Sequence, residues 1–269
     1  MTPREKVLAA VDPQRVTEQR SMIQPPVTPP SDTIELRWEV IRACFSMRDE
    51  LGYFMGTWGS VSVRLEDGFL VTPSRMKFEE IKPEDLVVVD WEASVLRGHR
   101  PPTTDAELHR QVLLQRPDLG ALIHSHSPWA TVCACSHRPI PVLTDDMAAV
   151  IGGEVRATRY VPAGRDRELA QAARDAIGPD ASAVLLANRG VVAGGRDLGE
   201  AVVAAQIVER GAMILIQAEA LGGATPISEQ HWRGERTRYL ETPSKLEQPQ
   251  PPPPRSSTAT PQATQEPPI

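Results

Sequence analysis

The chain has 269 residues and a formal net charge of −6, with 41% hydrophobic and 24% charged residues, which is typical of a globular protein with a substantial core. The mild acidity argues against a general nucleic-acid-binding surface, which needs a clustered basic excess, and no apolar run approaches the roughly 18 residues of a membrane span. Three cysteines, an odd number, do not indicate a disulfide framework, so we expect a soluble cytoplasmic protein without nucleic-acid or membrane partners.

Proline marks the boundaries of the folded unit. Six of the 26 prolines lie in residues 1–32 and nine lie in residues 243–269. The sequence from Pro243 onward has almost no apolar residues, so burial cannot offset the entropy lost on ordering it. We predict an extended N-terminal arm over residues 1–32, one domain over 33–242 and a disordered proline-rich tail over 243–269.

Helical and strand patterns alternate within this domain, which indicates an α/β fold with a mixed sheet. The predicted elements are, in chain order, a helix from Ile34 that Ser31-Asp32 caps, a hairpin of 60–65 and 69–71, strands over 86–89 and 121–126, a helix starting near Pro128, a strand over 154–161, a helix over 168–177, strands over 183–187 and 191–193, and a closing helix over 198–221.

His124 and His126 are the strongest chemical signal. Residues i and i+2 of a strand lie on the same face, so both imidazoles project into one space. They come at the end of a strand of buried type, where α/β proteins commonly place their sites. Neutral imidazole is a common metal ligand, although two surface or network histidines would give the same pattern.

The segment from Pro102 to His109 predicts the start of a helix. Thr104 and Glu107 have the spacing of a capping box, and Asp105 in the first turn suits the helix dipole. Asp105 and His109 are four residues apart and share a face. Taken alone, this segment indicates a helix N-terminus only.

Together these segments resemble the class II aldolase/adducin family, whose best-known members are fuculose-phosphate-type aldolases. The resemblance covers nearly all of residues 33–222 in order, and its segments are GSVSVR at 59–64, FLVTPS at 69–74, PTTD through His109 at 102–109, ALIHSHSP at 121–128, DMAA with GG at 146–153 and LLANRG at 185–190. It implies a single domain with a mixed sheet flanked by helices on both faces, and a homo-oligomer, usually a tetramer with sites at subunit interfaces. Trp129 and Asp145-Asp146 correspond to plausible interface positions.

The resemblance also implies a metal-dependent lyase. One divalent ion, most commonly Zn²⁺, polarises the carbonyl of a small substrate and stabilises an enediolate; three histidines hold the ion and a glutamate serves as acid/base. His124 and His126 match the first two ligands, and Asp105 matches the glutamate. Arg189 replaces the third histidine; a guanidinium cannot ligate a metal, but its planar fork suits a substrate carboxylate or phosphate.

The positions that grip the substrate in this family are also altered. Ser60 stands where asparagine is usual, Thr103 and Thr104 where two serines are usual, and Arg75 where glycine is common; Ser74 completes the expected substrate-binding set. Asp105 and Arg189 are the expected catalytic residues. The resemblance therefore implies an aldolase site that is present in outline and changed at its centre.

Three functions remain open. The preferred one is a lyase of aldolase or decarboxylase type acting on a hydroxy acid, oxo acid or sugar phosphate, with His124 and His126 and either Asp105 or His109 around the metal. The second is a non-haem Fe²⁺ oxygenase, because two histidines and one carboxylate form its ligand set; a branch of this family in aminocoumarin antibiotic biosynthesis acts so on an aryl 2-oxo acid. The third is a non-catalytic binding module like the adducin head.

Overall fold

The computed structural model describes residues 27–242, so the proline-rich tail and most of the predicted N-terminal arm lie outside the described residues. The helices are α1 (Ile34–Phe45), α2 (Ala106–Gln115), α3 (Pro128–Cys135), α4 (Asp166–Ile177), α5 (Leu198–Ala218) and α6 (Glu229–Leu240). The strands are β1 (Ser60–Arg64), β2 (Gly68–Val71), β3 (Val87–Asp90), β4 (Val95–Arg97), β5 (Ala121–Ser125), β6 (Ala183–Leu186) and β7 (Gly190–Gly195). Two single π-helical turns follow α1 and α3, at Ser46–Glu50 and Met147–Ile151.

The seven strands form one sheet in the order β4-β3-β2-β1-β5-β7-β6. The fold-class prediction is confirmed, with one refinement: the ladders between these strands are all antiparallel, and the parallel pairing is a bridge between Ala157 and Leu185. β5 lies between β1 and β7, where His124 is opposite Ser60 on one side and Val192 on the other. The histidine strand is therefore central in the sheet.

Alternation along the strands divides the core into two layers. Ile123 belongs to the apolar cluster that α1, α3 and α5 cover, whereas Leu122 belongs to the cluster covered by α2 and α4. The predicted covering of both faces by helices is therefore confirmed. His124 shares its face with Leu122, so it points toward the layer beneath α2.

Helix α5 is more apolar than the sequence analysis allowed. With the turn that follows it, the segment Leu198–Leu221 is long and apolar enough to cross a membrane by length and composition, but half of that window is buried inside the protein. The segment carries Glu209 and Arg210 near its middle, and its apolar face packs on the sheet. A helix that serves as the central core of an α/β domain meets the same criterion.

Three local predictions were wrong. The segment 154–161 is not a strand, because Val155 pairs with Ile140 and Ala157 with Leu185, and one-residue pairings with two different partners cannot form a ladder. Thr33, not Ser31-Asp32, caps α1, since the Asp32 carboxylate binds Arg37 at 2.7 Å. The Thr104–Glu107 capping box does not form, because the Glu107 carboxylate accepts hydrogen bonds from Arg110 and Gln111.

Candidate active site

Two imidazole nitrogens without partners lie at the end of β5. The rings of His124 and His126 are 4.9 Å apart between centroids. The Nε2 atoms of both rings are buried and have no hydrogen-bond partner among the described residues. Buried polar atoms are nearly always satisfied, so two adjacent exceptions require an explanation. A divalent metal ion fits them, because neutral imidazole binds metals through such a bare nitrogen.

Asp105 holds the other side of the His124 ring. Its Oδ2 lies 2.8 Å from Nδ1 of His124 and accepts a hydrogen bond from the Ser60 hydroxyl at 2.8 Å. Burial raises the pKa of the Asp105 carboxyl, but the imidazoles of His124 and His109 together with Ser60 outweigh burial and bring it well below its usual range. The ionised carboxylate keeps the proton of His124 on Nδ1 and therefore leaves the lone pair on Nε2.

This placement differs from the ligand role that the sequence predicted for Asp105. The Oδ2 atom of Asp105 meets Nδ1 of His124, the ring nitrogen that does not face the metal position. An orienting carboxylate occupies this place in metal–histidine sites. Within residues 27–242, no three His, Cys, Asp or Glu side chains converge as a ligand set for a metal.

A buried network continues from Asp105 to β1. His109 of α2 has no exposed surface; its Nε2 lies 2.9 Å from the Ser60 hydroxyl, and its Nδ1 lies 2.6 Å from the Ser62 hydroxyl. Ser62, His109, Ser60, Asp105 and His124 thus form a continuous hydrogen-bonded chain. From the sequence, His109 is expected only as an alternative metal ligand and Ser62 has no expected role, although the alternation of β1 places both serines on one face.

Acid should destabilise the fold through His109. Burial and the neighbouring His124 lower the pKa of His109 to about 4, and Asp105 reverses only part of this shift. When the pH falls below 6.5, the ordinary pKa of histidine, this imidazole is therefore protonated in the unfolded chain and stays neutral in the folded protein. We expect the free energy of unfolding to fall by up to about 3 kcal/mol from this group as the pH drops from 6.5 to 4.

Urea unfolding of metal-free protein at pH 7.5 and pH 4.5 measures this effect, with H109Q as the comparison. The wild type should lose more stability than H109Q over that interval. Equal losses in the two proteins would contradict the prediction.

Arg189 lies in the turn between β6 and β7, beside His126. Burial is the main cause that lowers the pKa of His126 to about 4; the neighbouring His124 imidazole and, less strongly, the Arg189 guanidinium lower it further, whereas the Arg189 backbone and Asp105 oppose the shift. Nε2 of His126, like that of His124, is buried without a partner among the described residues. The Arg189 side chain itself makes no hydrogen bond or ion pair with the described residues, so it is free to bind an anion.

The turn around Arg189 has a conformation that few residues tolerate. Asn188 has φ 59°, in the left-handed region that asparagine visits more readily than most residues. Gly190 has φ 152°, and a Cβ there would lie 2.2 Å from the carbonyl oxygen of Ser125. The turn is therefore pressed directly against the histidine strand.

The remaining predicted substrate-binding residues lie on two adjacent segments. The Thr103 N–H donates to the Thr72 carbonyl at 3.0 Å, and the Ser74 N–H donates to the Pro101 carbonyl at 2.9 Å. Thr103 is buried and its hydroxyl accepts from the Asp105 N–H at 3.3 Å, whereas Thr104 is exposed.

Arg75 follows Ser74 and is exposed. Its φ of 55° lies in the left-handed region, where glycine is favoured and a side chain is strained. No hydrogen bond or ion pair within residues 27–242 engages its guanidinium, and its role in substrate binding stays a prediction.

Glu209 was missed by the sequence analysis. This residue of α5 is buried, and its two carboxylate oxygens accept the backbone N–H groups of Trp129 and Ala130, both at 2.8 Å. These are unpaired donors of the first turn of α3, so Glu209 caps that helix from outside. The segment that follows His126 is thereby fixed to the core; an acidic residue within an otherwise apolar helix is the signal that could have indicated it.

Residues 39–216 match the family model described as the class II aldolase and adducin N-terminal domain. The chain belongs to this family. A 5-methylthioribulose-1-phosphate/5-deoxyribulose-1-phosphate aldolase of Rhodospirillum rubrum is 36% identical over 204 residues, covering 76% of this chain and 83% of that protein. An L-fuculose phosphate aldolase of Escherichia coli K12 is 29% identical over 193 residues, covering 72% of this chain and 88% of that protein.

Solved structures of class II aldolases agree with the fold. An L-fuculose 1-phosphate aldolase superposes with a TM-score of 0.72 at 31% identity, covering 78% of this chain and 99% of that one. The prediction of a metal-dependent lyase family is confirmed, because the curated relatives are aldolases.

Proposed function

We propose that this class II aldolase domain is a metal-dependent carbon–carbon lyase that cleaves a small carbonyl substrate bearing a phosphate or carboxylate. The observation that carries the proposal is the pair of buried Nε2 atoms of His124 and His126 that lack partners. A pair of histidines with no metal to bind would leave two desolvated acceptors uncompensated, which is costly. The aldolase activities of the relatives supply the reaction class.

His124 and His126 would hold one divalent ion, with Zn²⁺ favoured and Fe²⁺ as the alternative. When bound, the ion acts as a Lewis acid on the substrate carbonyl. Asp105 keeps the lone pair of His124 on Nε2, toward the metal position. Because a carboxyl with so low a pKa is a weak base, we assign Asp105 the role of orienting His124 and not that of transferring protons. Ser60 fixes Asp105 through its hydroxyl, and Thr103 holds the backbone at Asp105.

Arg189 would bind the anionic group of the substrate. We expect R189A to raise KM by about 10- to 100-fold, the range that a lost hydrogen bond to a charged group produces, with a smaller effect on kcat. Metal content should stay unchanged, because a guanidinium is not a ligand. Steady-state kinetics with R138A as the control test this, since Arg138 is an exposed arginine paired with Glu219. Loss of the metal in R189A would contradict the assignment.

The substrate class that we propose is a ketose 1-phosphate, following the names of the relatives. The first experiment incubates the protein with 5-deoxyribulose 1-phosphate and Zn²⁺, Mn²⁺, Co²⁺ or Fe²⁺, and measures dihydroxyacetone phosphate and acetaldehyde. Metal-dependent release of both products supports the proposal. Oxygen consumption with Fe²⁺ and an aryl 2-oxo acid would replace it with the oxygenase, and the absence of turnover and of bound metal would leave a binding module.

We further propose a cytoplasmic homo-oligomer, a tetramer as the family resemblance implies. Two large apolar side chains are exposed near the site, Met55 (63%) and Trp58 (67%), which pair in a bridge. The Trp58 ring lies 6.0 Å from that of His126. Exposed apolar surface beside a site is typical of an interface. Light scattering on the purified chain gives the number of subunits.

A further inference from the structure

The hydrogen bonds that link Ser62, His109, Ser60 and Asp105 all donate in one direction, from Ser62 toward Asp105. Ser62 is fully buried, and its hydroxyl has one partner among the described residues, Nδ1 of His109 at 2.6 Å. If Ser62 donates to Nδ1, the proton of neutral His109 is on Nε2 and is donated to the Ser60 hydroxyl. The Ser60 hydroxyl then has its own proton free for Asp105, as its geometry requires.

The opposite direction leaves groups unsatisfied. With the proton on Nδ1, His109 would donate to Ser62, whose own buried hydrogen would then have no acceptor. The bare Nε2 would compete with Asp105 for the Ser60 proton, and Asp105 would lose a donor to its buried charge. A buried donor without a partner and a lost hydrogen bond to a carboxylate both disfavour this arrangement.

We propose that His109 is a positioning residue: by donating from Nε2 to Ser60, it commits the Ser60 hydroxyl to Asp105 and so helps to fix His124 with its bare Nε2 at the metal position. His109 is thereby excluded as a metal ligand, because both its nitrogens are already used. The inference deepens the proposed function and rests on it only where metal affinity is concerned. The two histidines of this hydrogen-bonded network carry opposite tautomers, Nε2–H in His109 and Nδ1–H in His124.

Nitrogen-15 NMR of the metal-free, histidine-labelled full chain at pH 7 tests the tautomers directly. H109Q and H124A assign the two sets of resonances by their disappearance. The expected result is a protonated Nε2 and a bare Nδ1 in His109, and the reverse in His124. A proton on Nδ1 of His109, or on both of its nitrogens, would overturn the proposal.

Zn²⁺ affinity by chelator competition provides the second test. In H109Q the side-chain amide can still donate to Ser60, whereas the near-isosteric H109M cannot. We expect H109Q to stay within about threefold of the wild-type Kd and H109M to bind about tenfold more weakly, at the lower end of losses for residues behind the ligands. Equal Kd values in two folded variants, or a metal-induced shift of the His109 nitrogens like those of His124 and His126, would refute the positioning role. If the wild type binds no Zn²⁺, the proposed function fails, and the tautomers still decide this inference.

Discussion

Replacing both His124 and His126 with alanine should reduce the metal content from about one ion per chain to none. Each ring has a buried Nε2 without a partner among the described residues, and Asp105 occupies Nδ1 of His124. Loss of the Lewis acid should lower kcat/KM by at least about a thousandfold, or roughly 4 kcal/mol of transition-state stabilisation. Elemental analysis and the retro-aldol assay are the two measurements.

H231A is the matched control for this double variant, since His231 is an exposed histidine of α6 that bonds Ser228. It should retain both metal and activity. An H124A/H126A protein that keeps its metal would show that the ion is bound elsewhere and that the histidine site is misassigned.

Asp105→Asn should weaken the affinity of the site for its metal without changing the metal ligands. A neutral amide oxygen is a weaker acceptor for the Nδ1–H of His124 than a carboxylate oxygen is. The NH₂ group of the amide also adds a hydrogen-bond donor beside the Ser60 hydroxyl, which already donates to this position. Substitution of such a carboxylate behind a metal-binding histidine costs about 10- to 100-fold in metal affinity, and we expect a loss of that size. Chelator competition measures it, and saturating metal should recover part of the activity.

E107Q is the control for D105N. Glu107 is a neighbouring carboxylate of the same helix turn, but it binds Arg110 and Gln111, away from the histidines. Its substitution should leave the metal affinity unchanged. If D105N also binds metal as the wild type does, the orienting role of Asp105 is wrong.

The sequence predicted those features that local patterns encode. Strict alternation in β1 and the buried run before His124 each depend on residues close in the chain, so the hairpin, the histidine strand and its end were predicted from spacing alone. The same holds for α4, whose apolar residues recur at helical intervals.

Features that depend on distant partners were not predicted. Helix α6 has little apolar character and buries Arg236, which donates to the carbonyls of Ala149 and Val150. A helix held by such polar contacts has no hydrophobic period to detect. The network was missed for a related reason: Ser62 and His109 are 47 residues apart, and only the packing of α2 on the sheet brings them together.

The backbone path at position 189 does not depend on which side chain stands there. The close approach of Gly190 to the Ser125 carbonyl leaves no room for a side chain, so the backbone path of this turn is dictated by the strand beneath it. The residue displayed at 189 can then be exchanged without altering that path. R189H would thus bring a third imidazole into the vicinity of His126 on an unchanged frame, and a single substitution would replace an anion-binding group with a further metal ligand. A fold with this property can diversify its substrates while its core stays the same.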